Sequence, residues 1–208
     1  MCTDSVDVAQ KLARTLNARL KCLGGPSIRY LNEFCGLKCA PDLLALKLFP
    51  NAKEISESFA AYNAVRKHLA KQKKGVALNE SGITVVAVGD GCTPRTAATF
   101  AFRSAWNCIS VDPALKESKK YNKISRLHLI PKLIEDVKIE NDGHVIIVAV
   151  HSHAPLEAAL AAISAKRVSV VAIPCCKKQS LHVKPDHVYL DWGIWSPERM
   201  VMVWENVC

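Results

Sequence analysis

Two small sets of residues in this 208-residue chain are of types that do chemistry. His151 and His153 flank Ser152 directly after the apolar run His144 to Val150, and Cys175 and Cys176 follow the apolar run Val168 to Ile173. An imidazole titrates near neutrality, so either histidine can accept a proton from a nucleophile or orient one, and the thiols can border the same pocket. The second set is the turn Gly89-Asp90-Gly91 with Asp112 and Pro113 downstream. Free amides at a helix start attract anionic or polar groups. Asp112 follows Gly91 by 21 residues, close to the spacing at which nucleotide-binding folds place an acid on a ribose hydroxyl. Two His and two Cys are also the ligand types of tetrahedral zinc. However, H-x-H with adjacent C-C lacks the usual spacing of structural sites, and no metal is expected. The purely structural alternative is packed thiols and histidines that cap polar turns.

The elements that must position these residues follow from periodicity. Ile83 to Val88 is a continuous β-branched run, as in a strand buried on both faces, and the glycines end it at once. Thr93 as N-cap and Pro94 at the first helical position open a helix, and Cys108 to Val111 forms the next strand. The alternation continues with a helix over Pro113 to Lys120, a strand over Arg126 to Ile130 and a helix over Lys132 to Lys138. The turn Asn141-Asp142-Gly143 introduces the strand His144 to Val150; a helix over Pro155 to Ala165 and the strand Val168 to Ile173 follow. Such alternation implies right-handed parallel crossovers and a doubly wound α/β sheet. His187 to Trp192 and Arg199 to Glu205 are separated only by Gly193 to Glu198, which is too short for a crossover helix and suits an antiparallel hairpin.

Before the sheet comes a helical lead-in. Val8, Leu12, Leu16, Leu20 and Leu23 keep helical spacing over residues 4–23, and Gly24-Gly25-Pro26 stops that helix. Further helices are expected over Leu43 to Phe49 and Ile55 to Lys73, the latter with Phe59, Tyr62, Val65 and Leu69 on one face. This divides the chain into a helical extension, 1–78, and a sheet domain, 79–208, with Gly75 to Gly82 as hinge.

Composition sets the outer limits. Half the residues are apolar, enough for a full core, and no apolar run approaches the ~18 residues of a membrane span. The start, Met1-Cys2-Thr3-Asp4, resembles neither a secretory nor a transit signal, so a soluble cytoplasmic protein is expected. Nine scattered cysteines read as mostly reduced core residues, and Cys35 with Cys39 has no partner pair that would make a metal site. The net charge of +9 gathers in Arg66 to Lys74 and Lys116 to Arg126, which suits RNA or another polyanion as well as it suits solvated helix faces. Trp195 in the hairpin turn could stack on a ligand, and Lys177 and Lys178 could face phosphates.

Five parallel strands, a glycine turn after the first, an acid after the second and a terminal antiparallel hairpin together resemble the class I S-adenosylmethionine-dependent methyltransferases, over roughly residues 80–206. The resemblance implies a Rossmann-like seven-stranded sheet in the order 3-2-1-4-5-7-6, with strand seven antiparallel. It further implies that Gly89, Asp90, Gly91, Asp112 and Pro113 meet S-adenosylmethionine. Ala87 and Thr93 stand where the family usually has an acid and a third glycine. His151 and the pair Cys175-Cys176 are similar to the strand tips of a subgroup that includes tRNA ribose 2′-O-methyltransferases. That likeness implies His151, His153, Cys175 and Cys176 as the catalytic side of the pocket and RNA as a possible acceptor. Two alternatives stay open: a catalytically silent methyltransferase-like binding module, and an NAD(P)-binding oxidoreductase, whose G-x-G-x-x-G fingerprint is met here in two of three glycines.

Overall fold

A computed structural model describes residues 25–69, 82–116, 118–175 and 179–207. The helix expected over 4–23, the hinge apart from Gly82, and Cys176, Lys177 and Lys178 lie outside the described residues. Three helices precede the sheet: α1 (Arg29–Cys35), α2 (Ala40–Ala45) and α3 (Ala52–Ala64), the last continued by a π-helical turn, Val65–Leu69. Asn51 starts α3 by accepting the Glu54 N–H on its side chain at 3.1 Å. Then come β1 (Ile83–Val88), α4 (Arg95–Arg103), β2 (Asn107–Val111), β3 (Leu127–Ile130), β4 (Ile139–Val150), α5 (Leu156–Ala161), β5 (Ile163–Ile173), β6 (His187–Leu190) and β7 (Met200–Trp204).

The seven strands form one sheet in the order β3-β2-β1-β4-β5-β7-β6. The first five are parallel, and β7 lies antiparallel between β5 and β6. The protein is therefore an α/β fold with a mixed sheet in the order the resemblance implies. Every residue of β1 is buried because the sheet is covered on both faces. Val85 and Ala87 pack into one core layer with Phe59, Phe100 and Ile146, while Val86 and Val88 enter the other with Ile134, Leu156 and Ile147. Helices α1 to α3 share the first of these layers with α4 and the strands, so the described part of the lead-in is packed onto the sheet.

Local departures from the expected elements have physical reasons. The described residues of 113–120 form turns, with a 3-10 turn at Tyr121–Lys123 after them, because Leu115 is the one buried position among them and leaves no apolar face for a helix to bury. Over 132–138 there is only a 3-10 turn, Ile134–Asp136, which suffices to bury Ile134 and Val137 three residues apart. Asn141-Asp142-Gly143 is no turn between elements. It is an irregularity inside β4, which starts at Ile139 and pairs there with Ile163, so β5 begins earlier and α5 ends earlier than periodicity suggests. Asn141 secures the irregularity by donating to Thr84 Oγ1 at 3.0 Å and accepting from Gly143 N at 2.7 Å.

Candidate functional site

The tips of β1, β2, β4 and β5 meet at one edge of the sheet, where open α/β folds bind ligands. Gly89 has φ +72°, and its N–H donates to Val111 O at 2.9 Å. A Cβ there would collide with the Ser152 side chain, so the close approach that only glycine allows is made to the β4 tip. Asp90 turns inward. It is 3% exposed and accepts from Thr96 N (2.9 Å), Ala97 N (3.1 Å) and Ser110 Oγ (3.0 Å), so its carboxylate satisfies the first turn of α4. Burial pushes the Asp90 carboxyl above its ordinary range, against the pull of nearby Arg95 and these donors. The helix start is thus filled by a residue of the chain itself.

Gly91 (φ +79°) donates its N–H to Asp112 Oδ2 at 2.8 Å, and Asp112 Oδ1 accepts from Ala114 N at 2.7 Å. The β1 and β2 tips are thereby tied together, with Pro113 exposed beside them. Each carboxylate oxygen has two acceptor positions, so Asp112, which is half-buried, retains capacity for two further donors such as ribose hydroxyls. Arg95 lies against Gly91 and donates from Nη1 to Asp90 O at 2.6 Å.

The β4 and β5 tips come together in part. His151 has φ +48°, donates its N–H to Ile173 O at 2.8 Å, and its carbonyl accepts from Cys175 Sγ at 3.7 Å. β4 ends at Val150 and His151 takes φ +48°, so the two-residue repeat of a strand is broken: the His151 ring turns into the protein while His153 is exposed, and the two histidines do not share a pocket wall. Ser152 between them is buried, and Gln179 holds this loop by donating to Ser152 O at 2.7 Å.

What His151 meets is a group of charges on α3. Its Nδ1 lies 3.2 Å from Glu57 Oε1, which also accepts from Lys53 Nζ at 2.8 Å; Glu54 pairs with Arg95 Nε at 2.6 Å. These contacts join α3, the glycine turn and the β4 tip. Glu57 is 1% exposed, and its Oε2 has no hydrogen-bond partner among the described residues. Burial, only partly offset by Lys53, pushes the Glu57 carboxyl up to about 7, and burial lowers His151 below its usual value. Proton bookkeeping agrees with both directions. His151 Nε2 faces the carbonyl of Glu198 at 3.3 Å and must carry a hydrogen, so Nδ1 needs a donor, and a protonated Glu57 supplies it.

Glu57 is the residue that motif reading passes over. Its trace in the sequence is an acid at i, i+4 and i+7 spacing from Ala61 and Ala64, on the face of α3 that carries small buried residues. Trp195 flanks the same place, donating its N–H to Ser56 Oγ at 2.9 Å. Among the described residues no three His, Cys, Asp or Glu side chains are placed to hold a metal ion, and no helix is long and apolar enough to cross a membrane. Neither a protein-family model nor a curated protein sequence matches the chain.

Proposed function

We propose that this protein is an S-adenosylmethionine-dependent methyltransferase with a polyanionic acceptor, RNA being the acceptor class its basic charge suits best. The observation that carries the reading is the Gly91–Asp112 hydrogen bond at the adjoining tips of β1 and β2, in a sheet whose seventh strand is antiparallel. In this reading the free acceptor positions of Asp112 hold the ribose hydroxyls, and Gly91 and Pro113 border the adenosine. When bound, the cofactor supplies an electrophilic methyl group. The chain's own part is mainly to position the acceptor, which alone removes much of the barrier to an in-line displacement. His151 has both ring nitrogens engaged, by Glu57 and by the Glu198 carbonyl, so in this reading it holds the β4 tip in place beside the acceptor rather than touching the nucleophile. His153 and Cys175 border the same edge, and Cys176 follows Cys175 in the sequence.

The donor set fits the ribose end of the cofactor better than its amino-acid end. Ala87 offers no carboxylate, and Asp90 is committed to α4. That observation favours a second reading, a methyltransferase-like binding module without turnover.

Calorimetric and thermal-shift titrations with S-adenosylmethionine, S-adenosylhomocysteine and NAD separate these readings. At a thousandfold excess over Kd a specific ligand adds about 4 kcal/mol of stability. Stabilisation by the first two ligands, abolished by Asp112→Ala, is the expected result. Silence with all three leaves the binding module, and a response to NAD alone moves the assignment to an oxidoreductase.

A further inference from the structure

We infer that the cleft between α1, the end of α3 and the loop after β6 seats a single-stranded polynucleotide, an inference that rests on the polyanionic acceptor proposed above and gives it a place on the molecule. The cleft encloses about 1180 Å³, above the range of ~300–1,000 Å³ usual for small-molecule pockets, which points to an extended ligand. Its walls include Arg29, Tyr30, Arg66, Lys67, Tyr189 and Trp192.

Two acids, Glu33 and Asp191, also line it, but both are committed to partners within the fold. Asp191 pairs with Arg29 and accepts from Tyr30 Oη at 2.6 Å and from Gly193 N at 2.8 Å; Glu33 pairs with Arg103 at 2.5 Å and accepts from Asn63 at 2.8 Å. Arg66 and Lys67 are exposed and make no ion pair among the described residues, so the cleft's outward charge is positive. Aromatic rings share the cleft with them: Lys67 Nζ lies 5.2 Å from the Tyr189 ring centre, and Trp192 is 41% exposed, with Arg199, from outside the cleft's lining, over its ring at 4.8 Å.

Cations alternating with aromatic rings match a phosphate backbone carrying unstacked bases, whereas a duplex keeps its base faces covered. One wall of the cleft is continuous along the chain with the candidate site. The loop that lines it with Asp191 to Gly193 continues through Trp195, bonded to Ser56, to Glu198, whose carbonyl faces His151 at 3.3 Å. A strand that leaves the cleft along this loop would run toward the β4 tip, where His151 lies.

The test is fluorescence anisotropy with labelled oligonucleotides of about twelve residues, oligo-U RNA and oligo-T DNA, beside an RNA duplex and polyglutamate, all without cofactor. Binding of either or both single strands, more tightly than duplex or polyglutamate, is the expected result. Arg66→Ala with Lys67→Ala should weaken it and flatten its salt dependence, by a slope of roughly 1.4 for two phosphate contacts. Trp192→Ala should weaken it roughly five- to a hundredfold, with Trp192→Phe largely restoring it and unfolding midpoints unchanged. Equal binding of duplex or polyglutamate, no binding of single strands, or variants that bind like the wild type would each overturn the inference. Because the assay needs no cofactor, a failed adenosylmethionine titration leaves this test intact, and failure here leaves the titration intact.

Discussion

His151 Nδ1 stands 3.2 Å from Glu57 Oε1 while the other ring nitrogen faces a backbone carbonyl, so a single proton has to lie between the imidazole and a carboxyl that is 1% exposed. The consequence for pH is definite in sign. Glu57 is raised from 4.5 to about 7 in the folded chain, so between these values the unfolded chain releases a proton that the folded chain keeps. Its contribution to stability is therefore full below about 4.5, falls as pH rises, and is lost above about 7. The lowered His151 acts in the opposite direction, removing stability as pH falls below the ordinary 6.5. Glu57→Gln removes only the first effect and keeps the shape. Melting curves of both proteins should show the variant gaining on the wild type between pH 5 and pH 8, and a constant difference would refute the shared proton.

This pair also marks the boundary of what the sequence discloses. The strands around it were readable because β-branched runs such as Ile83–Val88 have few other uses, and the short spacer between β6 and β7 excluded a crossover. Helices over 113–120 and 132–138 were not, because charged residues there conceal how few positions are buried. In the site, spacing pointed to Asp112 as an acid at the same sheet edge as the glycine turn, but not to its hydrogen bond from the Gly91 N–H. The inward turn of Asp90 could not be anticipated either, since it depends on Ser110 arriving on β2 beside the first turn of α4. Burial of Glu57 depends in the same way on where α3 lands against β4, a tertiary fact that no local pattern contains.

Asp90 provides the next measurement. Truncating it to alanine leaves two N–H groups of α4 and the Ser110 hydroxyl without their acceptor in a site closed to water, which should cost roughly 2–4 kcal/mol. Asp90→Asn keeps one acceptor and should fall between alanine and wild type in urea denaturation. If Asp90→Ala unfolds at the wild-type midpoint, the carboxylate is not the cap of α4.

Two glycines with positive φ separate backbone strain from crowding. A methyl group at Gly82 (φ +94°) would meet nothing within 4 Å, so Gly82→Ala should cost only the conformational penalty, about 1 kcal/mol. Gly89→Ala adds a collision with Ser152 and should cost roughly 3 kcal/mol. Combining it with Ser152→Gly should recover the steric part and leave the conformational part, a non-additivity that a double-mutant cycle measures. Strict additivity would show that the β1 turn and the β4 tip do not touch.

The lead-in makes the strongest demand on the fold. Leu43, Leu48 and Phe59 are fully buried in the layer that also contains Phe100, Ile146, Ile173 and Val201. Arg103 of α4 ties this layer to α1 through Glu33 at 2.5 Å and lies 3.9 Å from the Tyr62 ring centre on α3. A chain beginning at residue 82 would leave this face of the sheet open to water. It should lose its cooperative unfolding transition and bind a hydrophobic dye such as ANS. Within the full chain, Arg103→Lys should cost about 1–2 kcal/mol, because an ammonium cannot both pair with Glu33 and lay a planar face over the tyrosine ring. A chain lacking residues 1–81 that unfolded at the wild-type temperature would mean that the sheet is complete without its lead-in. The charges of α3 would then need another reason for meeting His151.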